Sequence, residues 1–168
     1  MNIYNLSNDY LFKKIFSKEK YLKKLLLDLF GVKVENLEYL NTELIKTNKY
    51  NKIGIVDMLL KVNGEIVILE LQNINRHNFK ERLLFYSSNI ITNYGLKEGE
   101  DYNKLRKIKV YAIINYRLFA GEFKSKINLK RNNEIFTEKL EYQIFDLTKI
   151  KDKDYEIISL LKKINMKS

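Results

Sequence analysis

The sequence predicts an α/β fold, an α+β mixed β-sheet with helices packed on its faces. Three observations carry this. A helical apolar pattern opens the chain, two apolar runs about a short turn follow at Ile53–Gln72, and helical and strand-like segments fill the rest. Helix, three strands, helix, further strands is the element order such a mixed sheet needs.

Ser7-Asn8-Asp9 offers N-cap chemistry to the first helix. Tyr10, Leu11 and Phe16, then Tyr21, Leu22, Leu25, Leu26 and Leu29, continue one helical pattern up to Gly31, a C-cap residue. The lysines between them fall on the solvated face. Leu37 to Thr47 reads as the first strand, with Glu43 near its middle. Asn48 to Lys52 is a polar connection, from which Lys52 can swing towards the mouth of the next element.

That element, Ile53–Gln72 (IGIVDMLLKVNGEIVILELQ), reads as a β-hairpin. Runs rich in Ile, Val and Leu flank Asn63-Gly64, a pair suited to a two-residue turn with positive φ at both positions. If those two residues are the whole turn, Val62 pairs with Glu65, Asp57 lies opposite Glu70, and Ile55 lies opposite Gln72. Side chains alternate across a strand, so Asp57, Glu70 and Gln72 share a face. The two carboxylates then stand about 5 Å apart at Cβ. Apolar residues occupy both faces, the mark of buried strands, and like charges directly opposed are destabilising. A divalent cation offsets that repulsion, because Mg²⁺ favours one or two carboxylates with water and phosphate oxygens. A shared proton, or a register slip that parts the groups, are the alternatives.

Asn73 to Arg76 is a polar loop, and a helix starting between Asn75 and Asn78 runs to Tyr94, with Gly95 as its C-cap. Phe79, Leu83, Tyr86, Ile90 and Tyr94 form its apolar face. Arg82, Tyr86, Asn89 and Asn93 follow at helical spacing as a stripe with polar groups. Arg82 can contact a phosphate or hold a carboxylate, and a surface ion pair is the competing reading. The lone His77, at the helix start, makes no metal set. Lys107 to Asn115 reads as a buried strand, Phe123–Leu129 and Ile135–Phe145 as a second hairpin about Asn132-Asn133, and Lys153 to Ile164 as a terminal helix.

At 168 residues the chain is expected to form one domain, 1–168, with a substantial core. It has no cysteine, which excludes disulfides and thiolate zinc sites. No apolar run has membrane-spanning length and no signal-peptide core opens the chain, so the expected location is cytoplasmic. The formal net charge of +10 favours polyanionic partners. The same composition, rich in Lys, Asn and Ile and poor in Arg and Pro, also follows from A/T-rich coding, so the charge is permissive. There is no phosphate-binding Gly loop, no GxSxG and no zinc-ligand spacing.

Asp57, a turn, then Glu70-Leu71-Gln72 resembles the PD-(D/E)XK nuclease core, with Gln72 where that motif usually has Lys. The opening Asn8-Asp9-Tyr10-Leu11-Phe12-Lys13-Lys14-Ile15-Phe16 and the later Phe79-x-x-Arg82-x-x-x-Tyr86 resemble one branch, the recombination-promoting nuclease (Rpn) or transposase family. The resemblance runs from about Asp9 to the last strand. It implies a restriction-endonuclease-like core, a central mixed sheet flanked by helices, in a single nuclease-like domain. The activity it implies is metal-dependent DNA endonuclease chemistry, phosphodiester hydrolysis linked to recombination or mobile elements.

In that reading Asp57, Glu70 and Gln72 are the catalytic set. Asp57, Glu70 and the Leu71 carbonyl hold Mg²⁺ or Mn²⁺, and Asp9, otherwise a helix cap, is a further candidate ligand. Substrate contacts fall to Arg82, Lys52, Lys80 and Tyr86. A Gln amide orients water or donates to a phosphate oxygen but carries no charge, so Lys52, Lys80 or Arg82 is expected to supply the cation that Gln72 lacks. DNA is the expected partner, no membrane is expected, and a homo-oligomer is left open. One rival is a catalytically inactive nuclease-like fold that binds DNA or a protein. A third reading treats Asp57 and Glu70 as a proton-sharing pair without any ligand.

Overall fold

The computed structural model describes residues 9–43, 54–150 and 157, with side chains from residue 12 onward. Its elements are α1 (Asp9–Phe16), α2 (Glu19–Phe30), β1 (Leu37–Leu40), β2 (Met58–Val62), β3 (Glu65–Gln72), α3 (Phe79–Tyr94), β4 (Ile108–Ile114), β5 (Lys124–Arg131) and β6 (Glu134–Asp146). The strands form one mixed sheet of six in the order β1-β2-β3-β4-β6-β5. β3, β4 and β6 run parallel at its centre, β1 and β2 add antiparallel to β3, and β5 adds antiparallel to β6. Parallel neighbours need a long crossover, and α3 makes the one between β3 and β4.

Alternation along β3 divides the core in two. Val67, Leu69 and Leu71 face the layer of α1 and α2, where Phe12, Phe16 and Leu26 are buried. Ile66 and Ile68 face α3, against Phe79, Leu83 and Ile90. A central strand buried on both faces has a near-continuous apolar run, which is why EIVILELQ shows no hydrophobic alternation.

The central hairpin has the expected register over Met58–Val62, but the expected Asp57–Glu70 and Ile55–Gln72 pairs lie beyond its ladder, and Ile55 bridges Glu43 instead. Val62 pairs with Glu65 and Met58 with Leu69, and the turn residues Asn63 and Gly64 both take positive φ, 51° and 86°. Asn63 does more than tolerate that conformation. Its Oδ1 accepts the N–H groups of Glu35 and Asn36 at 2.9 and 3.0 Å, and its Nδ2 donates to the Lys33 carbonyl at 2.8 Å. The turn is thereby tied to the link between α2 and β1. The second hairpin also turns as expected, with Arg131 opposite Glu134 and Asn132 at φ 53°.

Four expectations change. The opening helix is two helices, because the buried apolar positions step from Phe16 to Leu22, six residues and not a helical repeat, and the backbone is extended at Lys18. Tyr21, expected inside, is exposed. The first strand ends at Leu40, Glu43 is exposed and joins Ile55 in an isolated bridge, and residues 44–47 of the expected strand lie outside the described residues. Gly95 follows α3 as expected but stays right-handed, at φ −66°. A Cβ there would lie 2.4 Å from the Ile91 carbonyl oxygen and 2.8 Å from Leu105 Cδ1, so close approach, not a left-handed cap, demands glycine. Gly31 does cap α2 in the left-handed region, at φ 68°. Of the expected terminal helix only Ile157 lies within the described residues, where it is helical and buried.

Candidate active site at the end of the central hairpin

The backbone ladder between β2 and β3 ends at Met58 and Leu69. One pair further on, side chains take over the bonding between the strands. The Asp57 N–H donates to Glu70 Oε1 at 2.8 Å, and the Leu71 N–H donates to Asp57 Oδ2, also at 2.8 Å. Each carboxylate thus commits one oxygen to a backbone N–H and is held in a fixed position. The N–H and C=O of a strand residue leave on the same edge, so the Leu71 carbonyl turns to the side of Asp57. The Gln72 carbonyl, one residue on, turns the other way and accepts the Asn115 N–H at 3.0 Å.

Glu70 and Gln72 continue the face that packs on α3, so α3 supplies the next side chains. A pocket of about 150 Å³ is lined by Asp57, Glu70, Leu71, Gln72, Arg82 and Tyr86, and also by Ile55 and Arg76. An Arg82 Nη2 group donates to Gln72 Oε1, and Gln72 Nε2 donates to the Ile74 carbonyl at 2.8 Å. The guanidinium lies over the Phe79 ring, 5.6 Å from its centroid. Its Nε is buried with no hydrogen-bond partner among the described residues. From the other side of the sheet α1 brings Lys13, whose Nζ stands 3.5 Å from Asp57 Oδ1.

The electrostatics follow from burial. Glu70 is only 4% exposed, and its carboxyl is pushed up to about 8 by that burial first and by the Asp57 charge second. The Asp57 N–H, Arg82 and Lys13 pull it partly back. Burial, followed by the Glu70 charge, also raises the Tyr86 phenol. A like-charged carboxylate pair of this kind is stabilised by a proton or a cation. The donors at hand are all oxygens, two carboxylates and one carbonyl, and fit a hard divalent ion such as Mg²⁺. Among the described residues no group of three or more His, Cys, Asp or Glu offers a richer site.

Six of the residues singled out in the sequence therefore meet: Asp57, Glu70, Leu71, Gln72, Arg82 and Tyr86. Lys80 does not join them. Its Nζ lies over the Phe119 ring, 5.2 Å from the centroid, beside a separate apolar pocket with Leu83, Leu84 and Ile127. Two residues separate Lys80 from Arg82, and positions i and i+2 leave α3 on different faces. Lys52 and the side chain of Asp9 lie outside the described residues. Two cations at the site were not singled out. Lys13 reads in the sequence as one more lysine on a wet helix face, and Arg76 as part of a polar loop. The residue beside Phe12 is marked only by its place in the opening motif, and nothing there says which end of the sheet that helix crosses.

No curated protein and no solved structure shows significant similarity to the chain. A profile of the PD-(D/E)XK nuclease family transposases matches residues 6–163, a span that holds the whole sheet and the acidic hairpin end. The six-stranded mixed sheet with flanking helices is an α/β, restriction-endonuclease-like fold. The chain belongs to the PD-(D/E)XK nuclease family transposases.

Proposed function

We propose that the protein is a divalent-metal-dependent DNA endonuclease, acting in recombination or on mobile elements, with its reaction centre at Asp57 and Glu70. The observation that carries this reading is the carboxylate pair itself. Two acidic side chains at the open end of the central hairpin, Asp57 just before β2 and Glu70 on β3, are fixed by backbone N–H groups, one is buried, and both line one pocket with an arginine. Opposed charges of this kind destabilise a fold unless a proton or a cation offsets them.

Asp57, Glu70 and the Leu71 carbonyl would hold Mg²⁺ or Mn²⁺. When bound, the ion supplies positive charge against the phosphate and acidifies the attacking water. In the reaction, water adds across one ester bond. Its oxygen bonds to phosphorus, the bond to one sugar oxygen breaks with the electron pair leaving on that oxygen, and a proton from water ends there by way of solvent. Arg82 lines the pocket beside Glu70 and supplies one positive charge on the α3 side of the phosphate. Gln72 holds Arg82 through its Oε1 and the following loop through its Nε2, which makes it a positioning residue for that cation. Tyr86 lines the wall beside Glu70.

A second reading, DNA binding without cleavage, is favoured by Gln72, which brings no charge to the usual lysine position. Plasmid nicking separates the two. Wild type with Mg²⁺ or Mn²⁺ is expected to convert supercoiled DNA to the open circle, whereas Asp57→Ala or added chelator stops it. DNA binding with no nicking in either metal would leave the binding module standing.

A further inference from the structure

We infer that Lys13 is a catalytic residue, the cation that contacts the scissile phosphate in place of the lysine the Glu70-Leu71-Gln72 motif lacks; this rests on the endonuclease reading above. Gln72 itself is committed: its Oε1 accepts from Arg82 and its Nε2 donates to Ile74. Arg82 is in turn directed at Gln72 and held over Phe79. Lys80 lies elsewhere, over Phe119. Lys13 is placed differently from all of them.

Its ammonium is 3.5 Å from Asp57 Oδ1, and the side chain is 42% exposed against 13% for Asp57. It is near enough to reach whatever Asp57 binds and still open to solvent on one side. The helix that carries it is fixed. Phe12 and Phe16 on α1 are fully enclosed, their rings 4.7 Å apart, within the core that also contains Leu69 and Leu71 of β3. Lys13 thus arrives from the α1 side of the sheet, whereas Arg82 arrives from the α3 side. A phosphate set against the carboxylate pair would be flanked by two cations on opposite sides.

The ammonium keeps its solvent-facing side and the Asp57 carboxylate is the more enclosed partner; once a cation engages Asp57 its pull on the ammonium falls, so little opposes transfer of the ammonium to a phosphate oxygen. The charge that develops on the phosphoryl oxygens is then met by an ammonium with three donors.

The test uses the full chain with Lys13→Gln and Lys13→Arg, beside wild type and Asp57→Asn. Three quantities are read: single-turnover nicking of supercoiled plasmid in Mg²⁺, binding of a labelled duplex in Ca²⁺ across a salt series, and Mn²⁺ affinity by calorimetry. Lys13→Gln is expected to lower the nicking rate by about a hundredfold, the size seen when one donor to a developing oxyanion is removed. It should flatten the slope of log affinity against log salt by about 0.9, one phosphate contact. Its Mn²⁺ affinity should hold or rise, because a competing cation has left Asp57. Lys13→Arg should recover part of the rate. A merely structural Lys13 would instead lower metal affinity and rate together, which overturns the proposal. Nicking by Lys13→Gln within twofold of wild type, while Asp57→Asn is dead, overturns the proposal alone. A wild type that does not nick overturns it together with the endonuclease reading.

Discussion

Glu70→Gln in the metal-free protein gives the sharpest view of the site's electrostatics. Burial, then the Asp57 charge, raise the Glu70 carboxyl from an ordinary 4.5 to about 8. A raised folded pKa means that between those values the native state keeps a proton the unfolded chain has lost. The stability this contributes is full below about pH 4.5 and is lost as pH rises through about 8. At about 1.36 kcal/mol per unit, the whole displacement corresponds to roughly 5 kcal/mol. That figure is an upper bound, and a loss of a few kcal/mol is expected for wild type. Glutamine keeps the Oε1 that accepts the Asp57 N–H but has no proton to lose. Urea unfolding of both proteins in chelator at pH 5, 6.5 and 8 reads the difference directly. The gap between Glu70→Gln and wild type should widen with pH, in favour of the variant. Parallel curves would show that Glu70 is not a buried, charge-opposed carboxyl, and the argument for a cation would lose its physical basis.

Other sites give independent tests. Gly95→Ala should cost about 1–3 kcal/mol, the usual range for overpacking, since its Cβ would meet the Ile91 carbonyl oxygen and Leu105; a loss under a few tenths in urea denaturation would put the helix end elsewhere. Asn63→Ala leaves the Glu35 and Asn36 N–H groups without their acceptor and puts a Cβ without a compensating bond at positive φ. A loss of about 1–3 kcal/mol is expected in the same assay, and a neutral result would mean that the turn is not pinned to the α2–β1 link. If the net charge of +10 serves nucleic acid, duplex affinity should fall steeply between low and moderate salt by counterion release. Binding that is absent or indifferent to salt in a fluorescence titration would assign the lysines to composition alone.

Much of the site was legible because one short signal fixes a long register. Asn63-Gly64 determines that Val62 meets Glu65, and period-two geometry then carries Asp57 to Glu70 without knowledge of the rest of the fold. The parallel strand β4 and the second hairpin were legible for similar reasons, a continuous apolar run and an asparagine pair at a turn. What stayed hidden depends on contacts between distant segments. No local pattern says that the Asn63 side chain ties down residues 35 and 36, or that Lys13 crosses the sheet beside Asp57. The break between α1 and α2 has no Gly or Pro to mark it; its only trace is the skipped helical phase between Phe16 and Leu22, which Tyr21 masks by being aromatic yet exposed. Gly95 shows the converse, a residue placed correctly for a reason that only tertiary packing reveals.

Thermal melts with and without Mn²⁺ read whether Asp57 and Glu70 bind a divalent cation. A hundredfold excess over the dissociation constant should stabilise wild type by about 2.7 kcal/mol. Asp57→Asn, which keeps an acceptor for the Leu71 N–H, should stay folded and lose most of that gain. Equal stabilisation of both proteins by Mn²⁺ would put the ion elsewhere and leave Asp57 and Glu70 without a metal role.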